Sequence, residues 1–391
     1  MNTNVFTRRG PRPTASLGTG DADGGAIGAR GWAMRLVVVA TGLVVLAVGV
    51  GLVPRHYTHE GLSPLAVSGF ILLTIGLVAS VWAAIRILAA TRRRWWAPIV
   101  ASMLVATYLV LWTLGQAVAA SYAPRPALGE RTPADLGLAY RDVTFPSSDG
   151  TDLAGWYLPT RNGAGVVLMH GAGSTRSGVL EHAAVLAEHG YGVLLFDARG
   201  HGESAGRAMD FGWYGESDAS GAVDFLTQQR GVSPARIGLL GVSMGGEEAI
   251  GTAGVDERVA AVVAEGATSR VAADKGYLDA YGARGELQQN IDRVTYWLTG
   301  RLTDAPEPSS LRRSVSTATT RPDPTSFLLI TAGEVPDEGH AADYVADSST
   351  DAVQTWAVPG AGHTQGLQEA PAAWEERVIT FLADSLEGTA G

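Results

Sequence analysis

The stretch Arg236-Ile-Gly-Leu-Leu-Gly-Val-Ser-Met-Gly245 decides the fold of this chain. Its apolar first half is typical of a buried strand, and a helix-like sequence follows it. A serine with a glycine two positions to either side, between a strand and a helix, is typical of a sharp turn that exposes a nucleophilic hydroxyl. Glycines suit this turn because a side chain at position 241 or 245 would crowd the neighbouring backbone. Ser243 is therefore the candidate nucleophile.

The charge of the chain is unevenly divided. Residues 1–124 hold 10 arginines and 3 acidic residues, whereas residues 125–391 hold 19 basic and 36 acidic residues. An excess of 17 negative charges in the second part argues against a nucleic-acid partner. The chain has no cysteine, which excludes disulfides, thiolate catalysis and cysteine-based metal sites.

Three apolar stretches near the N-terminus, residues 33–53, 67–90 and 97–120, predict membrane-spanning helices. Each is about 20 residues or longer, which is enough for a helix to cross a hydrocarbon core of about 30 Å. We expect a disordered tail over residues 1–30, a three-helix anchor over 31–120, and a proline-containing linker over 121–138.

Arginine placement predicts the orientation of these helices. Arg30 precedes the first span, Arg35 lies at its edge, and an arginine triplet at 92–94 precedes the third span. The loop over residues 54–66, between the first two spans, has only Arg55. By the positive-inside rule the N-terminus is cytoplasmic, and three spans then make the rest of the chain extracytoplasmic. A transport or sensing module is the alternative. Apart from Arg35 and Arg86 near the ends of their spans, the spans lack charges, which favours a plain anchor in the cell membrane.

Beyond the linker, short apolar runs alternate with helical patterns, which predicts a mostly parallel sheet flanked by helices over residues 139–391. The expected strands cover residues 142–145, 152–158, 165–169, 192–196, 236–240, 259–264, 327–331 and 353–358.

Three further motifs follow strands in register with the serine turn: His170-Gly-Ala-Gly173, Asp197-Ala-Arg-Gly-His-Gly-Glu-Ser204 and Gly360-Ala-Gly-His363. With these motifs, residues 139–391 resemble the α/β-hydrolase superfamily, in particular its membrane-anchored esterase-like, serine aminopeptidase (S33)-like and Bem46-like branch. The resemblance implies the α/β-hydrolase fold with a small cap inserted at about residues 269–326.

A serine hydroxyl needs an imidazole to accept its proton and a carboxylate to orient that imidazole. In this fold the order along the chain is serine, acid, histidine. Only His340 and His363 follow Ser243, and His363 lies in a glycine-bracketed loop directly after the last strand, whereas His340 lies in a helix predicted over residues 339–346. We expect His363 to be the base.

The acid is expected in the loop after the penultimate strand, Thr331-Ala-Gly-Glu-Val-Pro-Asp-Glu338. Similar hydrolases carry an aspartate a few residues beyond the glycine of this loop, which favours Asp337. Glu334, directly after that glycine, is the main alternative, and Glu338 and Glu265 stay open.

An oxyanion hole needs two backbone amides aimed at the tetrahedral oxygen. The amide of Met244, just after the nucleophile, is one, and the resemblance implies Ala172 in the His170 turn as the other. We expect the His170 ring to support this turn and to take no part in proton transfer.

Within the cap, apolar residues recur at helical spacing, among them Leu287, Ile291 and Val294. They predict either a helix packed on the core or an acyl-binding wall over Ser243.

These expectations describe a membrane-anchored serine hydrolase that cleaves ester-like bonds through an acyl-enzyme, without metal or organic cofactor. The expected substrate is a small-molecule ester or acyl compound, with lipid as one alternative; no protein partner is inferred. The same catalytic parts would also serve a peptidase, an amidase or an acyltransferase. A non-catalytic receptor or scaffold is a further alternative.

Overall fold

The computed structural model describes residues 29–349 and 351–387. It has three N-terminal helical segments that are long and apolar enough to cross a membrane. They are α1 (Ala29–Glu60), α2 (Pro64–Ala89) and a third segment, Arg93–Ser121. The third segment joins a 3-10 turn (Arg93–Trp95), α3 (Trp96–Val110), a π-helical stretch (Leu111–Gly115) and α4 (Gln116–Ser121). The tail is predicted over residues 1–30. Residues 1–28 lie outside the described part of the chain, and residues 29 and 30 belong to α1.

Glycines bring α1 and α2 into close contact. A Cβ atom at Gly49 would lie 2.4 Å from the backbone nitrogen of Leu73, and one at Gly76 would lie 2.3 Å from that of Leu46. Small residues at facing positions are typical of helices that pack inside a membrane. Glycines at these positions therefore allow α1 and α2 to pack closely against each other.

Helix α1 is longer than the stretch predicted from hydropathy. It continues through Pro54 to Glu60, so its last turns project beyond the apolar part. There the His56 Nε2 lies 2.8 Å from the carbonyl oxygen of Tyr122, just beyond α4. The ends of the first and third segments are thus joined on one side of the bundle.

An eight-stranded sheet follows. Its strands are β1 (Arg141–Pro146), β2 (Asp152–Leu158), β3 (Gly165–Met169), β4 (Gly192–Phe196), β5 (Ile237–Val242), β6 (Val259–Glu265), β7 (Ser326–Ala332) and β8 (Val353–Val358). The order is β1-β2-β4-β3-β5-β6-β7-β8, with β1 and β2 antiparallel and the others parallel. The predicted mostly parallel α/β fold is confirmed.

Helices cover both faces of the sheet. One face packs against α6 (Gly215–Thr227), α7 (Met244–Val255), α9 (Leu311–Thr319) and α10 (Pro336–Ala346). The other packs against α5 (Leu180–Glu188) and α12 (Pro371–Glu387), with the short α11 (Gly366–Glu369) before the last helix. Successive residues of a central strand enter opposite cores: Val167 faces the first set and Leu168 the second. This two-sided burial explains the unbroken apolar strands.

The predicted linker region contains one 3-10 turn, Pro133–Leu136. Leu128, Leu136 and Leu138 pack against the core on the α5 and α12 side. Much of this segment therefore lies against the hydrolase-like fold.

The predicted cap region consists of a 3-10 helix (Ala272–Tyr281), α8 (Gly282–Leu302) and α9. Helix α8 contacts the 3-10 helix and both final parts of the third segment, the π-helical stretch and α4. One of the two predictions for Leu287, Ile291 and Val294 is that they pack on the core. Ile291 is buried, as this predicts. Leu287 and Val294 are exposed, so the prediction is wrong for them.

Candidate active site

Ser243 lies at the turn between β5 and α7, at the carboxyl edge of the sheet. Its backbone has φ 54° and ψ −122°, a conformation that costs about 1–3 kcal/mol and that local packing must enforce. A Cβ atom at Gly241 would lie 2.1 Å from the carbonyl oxygen of Gly245, and one at Gly245 would lie 2.6 Å from that of Met169. Both glycines are thus required by close backbone approach, as the motif predicts.

His363 reaches Ser243 from the loop after β8. Its Nε2 lies 2.9 Å from the Ser243 hydroxyl oxygen, and its Nδ1 lies 2.6 Å from Oε1 of Glu338. The structure brings the expected nucleophile and the expected base within hydrogen-bonding distance.

Glu338, and not Asp337, supplies the carboxylate that faces His363. Glu338 is buried on α10, and its second oxygen accepts the Ala332 amide at 2.8 Å. Asp337 is exposed, and its described polar contact is a hydrogen bond of 3.4 Å from the Tyr281 hydroxyl. Glu334 is exposed as well. The preference for Asp337, with Glu334 as main alternative, is corrected: α10 turns Glu338 inward and Asp337 outward, and Glu334 lies before the helix with its side chain exposed.

A sequence signal could have identified Glu338. Pro336 is the first residue of α10, a position that proline favours, so the helix begins three residues earlier than the predicted start at residue 339. In that register the buried residues Glu338, Ala341, Ala342 and Val345 form one face at i, i+3, i+4 and i+7. The helix start therefore determines which acid points inward.

The hydrogen bonds fix the proton positions on His363. A carboxylate only accepts, so Nδ1–H donates to Glu338, and the bare Nε2 accepts from the Ser243 hydroxyl. The hydrogen bond to Glu338 also raises the pKa of His363 above its ordinary value, against the lowering effect of burial. Nε2 of His363 is therefore positioned as the base for the Ser243 proton, and its raised pKa makes it a stronger base.

Glu265 has a supporting position beneath this arrangement. Its Oε1 accepts the Gly366 amide at 2.8 Å, and its Oε2 accepts Nε1–H of Trp374 at 2.9 Å. Burial raises the pKa of Glu265. This glutamate, one of the open choices for the acid, ties the histidine loop to α12 and makes no described hydrogen bond to His363.

A second buried glutamate, Glu247, connects α7, the helix after the serine turn, to the start of the cap. Its Oε1 accepts the amides of Thr268 and Ser269 at 3.0 and 2.8 Å. Burial raises the pKa of Glu247 to about 7. Glu247 belongs to none of the sequence motifs, and only its burial on α7 distinguishes it.

The turn after β3 lies against the nucleophile. A Cβ atom at Gly171 would lie 3.2 Å from the Ser243 Cβ, and Ala172 is the next residue. Met244 is the first residue of α7, where helix amides have no intrahelical acceptor. The two expected amide donors therefore come from the two backbone segments that meet at Ser243.

Buried groups hold this turn in place. The Ala198 amide donates to His170 Nε2 at 3.0 Å, and His170 Nδ1 lies 2.8 Å from the Gly171 carbonyl. Burial lowers the pKa of His170 to about 3, so the ring stays neutral. A buried ion pair between Arg176 and Asp197 adds a second tie. These contacts agree with a supporting role for His170.

The end of α1 lies beside the same turn. A Cβ atom at Gly173 would lie 3.6 Å from Arg55 Nη2, and Arg55 forms an ion pair with Asp210. The Asp210 amide donates to the carbonyl of Ala120 in α4 at 3.1 Å. The serine edge of the sheet therefore faces the ends of the apolar helices.

In sequence, the chain is similar to known hydrolases. The family model of the serine aminopeptidases, S33, matches residues 160–320, less than half of the chain. A thiohydrolase of Aspergillus aculeatus, aneE, is 42% identical over 129 residues, which are 32% of this chain and 40% of that protein. An uncharacterized protein of Mycobacterium tuberculosis is 42% identical over 118 residues, or 29% and 41% of the two chains. The matched region is less than half of the length of these relatives.

Solved structures show the same fold. An esterase of Pyrococcus furiosus has a TM-score of 0.54 at 24% identity, covering 67% of this chain and 97% of that chain. Another crystal form of this esterase has a TM-score of 0.51 at 25% identity, covering 67% and 99%. Together with the serine turn and the sheet order, these matches lead to one conclusion: the chain has the α/β-hydrolase fold.

Proposed function

We propose that the protein is a membrane-anchored serine hydrolase that cleaves ester-like bonds through an acyl-enzyme. The observation that carries the proposal is the hydrogen-bonded series from Ser243 through His363 to Glu338, with distances of 2.9 and 2.6 Å. His363 takes the hydroxyl proton as Ser243 attacks the acyl carbon, and returns it to the leaving group. The Met244 and Ala172 amides stabilise the oxyanion.

In the second half of the reaction, water replaces the leaving group. His363 deprotonates the water, which attacks the acyl-enzyme and releases the acid and the free Ser243 hydroxyl. Glu338 keeps Nδ1 protonated throughout, so Nε2 is the nitrogen that exchanges protons. Apart from the substrate and the water, every group named in these steps is a side chain or a backbone amide of this chain.

The substrate class is proposed as small-molecule acyl esters. Thioesters belong to the same class because the acyl-enzyme is the same and only the leaving group differs. The names of the related thiohydrolase and of the structurally similar esterase support this choice. Peptide, amide or acyl-transfer activity would need the same first step with another leaving group or acceptor.

The anchor is proposed to be formed by residues 31–120, with the hydrolase domain over residues 139–391. The N-terminus is cytoplasmic and the hydrolase domain extracytoplasmic, by the positive-inside rule. An alkaline phosphatase fused to the C-terminus is expected to be active, and a green fluorescent protein fused there is expected not to fluoresce. The reverse pattern would place the domain in the cytoplasm.

Turnover of acyl esters tests the proposed reaction. Full-length protein in detergent is assayed with p-nitrophenyl esters of increasing chain length, alongside Ser243→Ala and His363→Ala. Wild-type turnover with loss in both variants is expected. Equal turnover by wild type and Ser243→Ala would refute the acyl-enzyme mechanism.

A further inference from the structure

The cap helix α8 has an exposed face that carries apolar side chains. Leu287, Val294 and Trp297 are 60%, 46% and 58% exposed. Positions 287, 294, 297 and 301 follow helical spacing, so these side chains share one face. The Arg301 guanidinium lies over the Trp297 ring, 5.5 Å from its centroid. An indole ring and a long basic side chain both favour the interface between a membrane and water.

The level of the bilayer surface on the apolar helices follows from their length. A hydrocarbon core of about 30 Å requires about 20 helical residues. A crossing that begins at Trp96, after the arginine triplet, ends near Gly115. A crossing that begins at Ala33 in α1 ends near Val53, just before Arg55. Both counts put the boundary next to the hydrolase fold.

Helix α8 meets the third segment at this boundary. Trp112 of the π-helical stretch and Arg284 of α8 line the same cavity, which has a volume of about 390 Å³. The other end of α8 lies at the level of Tyr122: Arg207 donates to the Leu302 carbonyl at 3.5 Å, and its guanidinium lies over the Tyr122 ring. The N-terminal half of α8 is therefore the half nearer to the hydrocarbon.

We propose that the exposed face of α8 is embedded in the interface of the same bilayer that the three apolar helices cross. Leu287 reaches the acyl chains, and Trp297 and Arg301 lie among the headgroups, where an indole and a long basic side chain are favoured. The inference rests on the proposed membrane anchor. It adds that the cap of the hydrolase domain is itself a lipid-contacting element, so substrate reaches Ser243 at the membrane surface.

Position-specific lipid quenching tests this proposal. The chain contains no cysteine, so one introduced cysteine carries one fluorophore. The cysteines are Leu287→Cys and Trp297→Cys in α8. Leu104→Cys in α3 and Val255→Cys serve as references, with side chains 66% and 62% exposed. Val255 ends α7, 12 residues and about 18 Å from the serine turn, on the side away from the apolar helices.

Each labelled full-length protein is reconstituted in vesicles of phosphatidylcholine and phosphatidylglycerol, with and without nitroxide-labelled phosphatidylcholine. We expect quenching at position 287 to approach that at 104, quenching at 297 to be intermediate, and both to exceed that at 255 several-fold. Exposed side chains are changed in all four variants, so folding is preserved in each.

Quenching at 287 and 297 equal to that at 255, with strong quenching at 104, would overturn the proposal and leave the anchor intact. A blue-shifted emission at 287 and 297 without lipid quenching would also overturn it, since protein would then cover the face. Weak quenching at 104 would refute the anchor and, with it, this inference.

Discussion

Replacing Glu338 with glutamine is expected to abolish most of the activity by reversing the tautomer of His363. In the wild type, one carboxylate oxygen accepts from His363 and the other accepts the Ala332 amide. A glutamine has one oxygen, and the fixed Ala332 N–H requires it. The amide NH2 then faces His363 Nδ1, which must accept, so the proton moves to Nε2.

A protonated Nε2 cannot take the proton of Ser243. Where an acid-to-amide change causes this wrong tautomer in a serine hydrolase, kcat falls about 10⁴-fold, which corresponds to about 5 kcal/mol. The matched control is Asp337→Asn, one residue earlier on the same helix, which is expected to stay within a few-fold of wild type. Steady-state turnover of a short acyl ester measures both variants, and thermal melting verifies their folding.

Loss of activity by orders of magnitude in Asp337→Asn, with activity retained in Glu338→Gln, would exclude Glu338 as the carboxylate that sets the tautomer. Equal, small losses in both variants would show that the carboxylate near His363 does not set its tautomer.

Three other predictions concern the same site. The hydrogen bond to Glu338 raises the pKa of His363, and protonated His363 cannot accept a proton. The rate of ester hydrolysis should therefore fall on the acid side with an inflection above the ordinary histidine pKa, and Glu338→Gln should move it to lower pH; an unmoved inflection contradicts this. Gly245→Ala should reduce kcat about 100-fold or more, since its Cβ would lie 2.6 Å from a backbone carbonyl, whereas Gly339→Ala, with nothing within 4 Å, should leave turnover unchanged. Glu265→Gln places an NH2 group against one of two N–H donors, the Gly366 amide or the Trp374 indole. It should lower the free energy of unfolding, measured by denaturant titration, by about 1–3 kcal/mol. Unchanged stability would exclude a supporting role for Glu265.

Much of the fold is predictable because its strands are buried on both faces. Unbroken apolar runs such as residues 165–169 and 192–196 appear in the structure as β3 and β4 with the predicted bounds. The serine turn and the His363 loop follow strands in the same way. Parallel strands end at one edge of the sheet, so residues that follow them are brought together.

The acid was harder to predict because adjacent residues on a helix point about 100° apart. A shift of the assumed helix start changes which of Asp337 and Glu338 faces the core. The exposure of Leu287 and Val294 could not be predicted either, since apolar spacing shows that a helix has an apolar face without showing what covers it. That information depends on how α8 contacts the third apolar segment.

The central claim is that Ser243 is an activated nucleophile. Labelling isolated membranes with a fluorophosphonate probe tests it most directly, comparing wild type with Ser243→Ala and His363→Ala. We expect a labelled band in wild type alone, with the adduct located on Ser243 by peptide mass spectrometry. Absence of label in folded wild-type protein, or label that persists in Ser243→Ala, would contradict it.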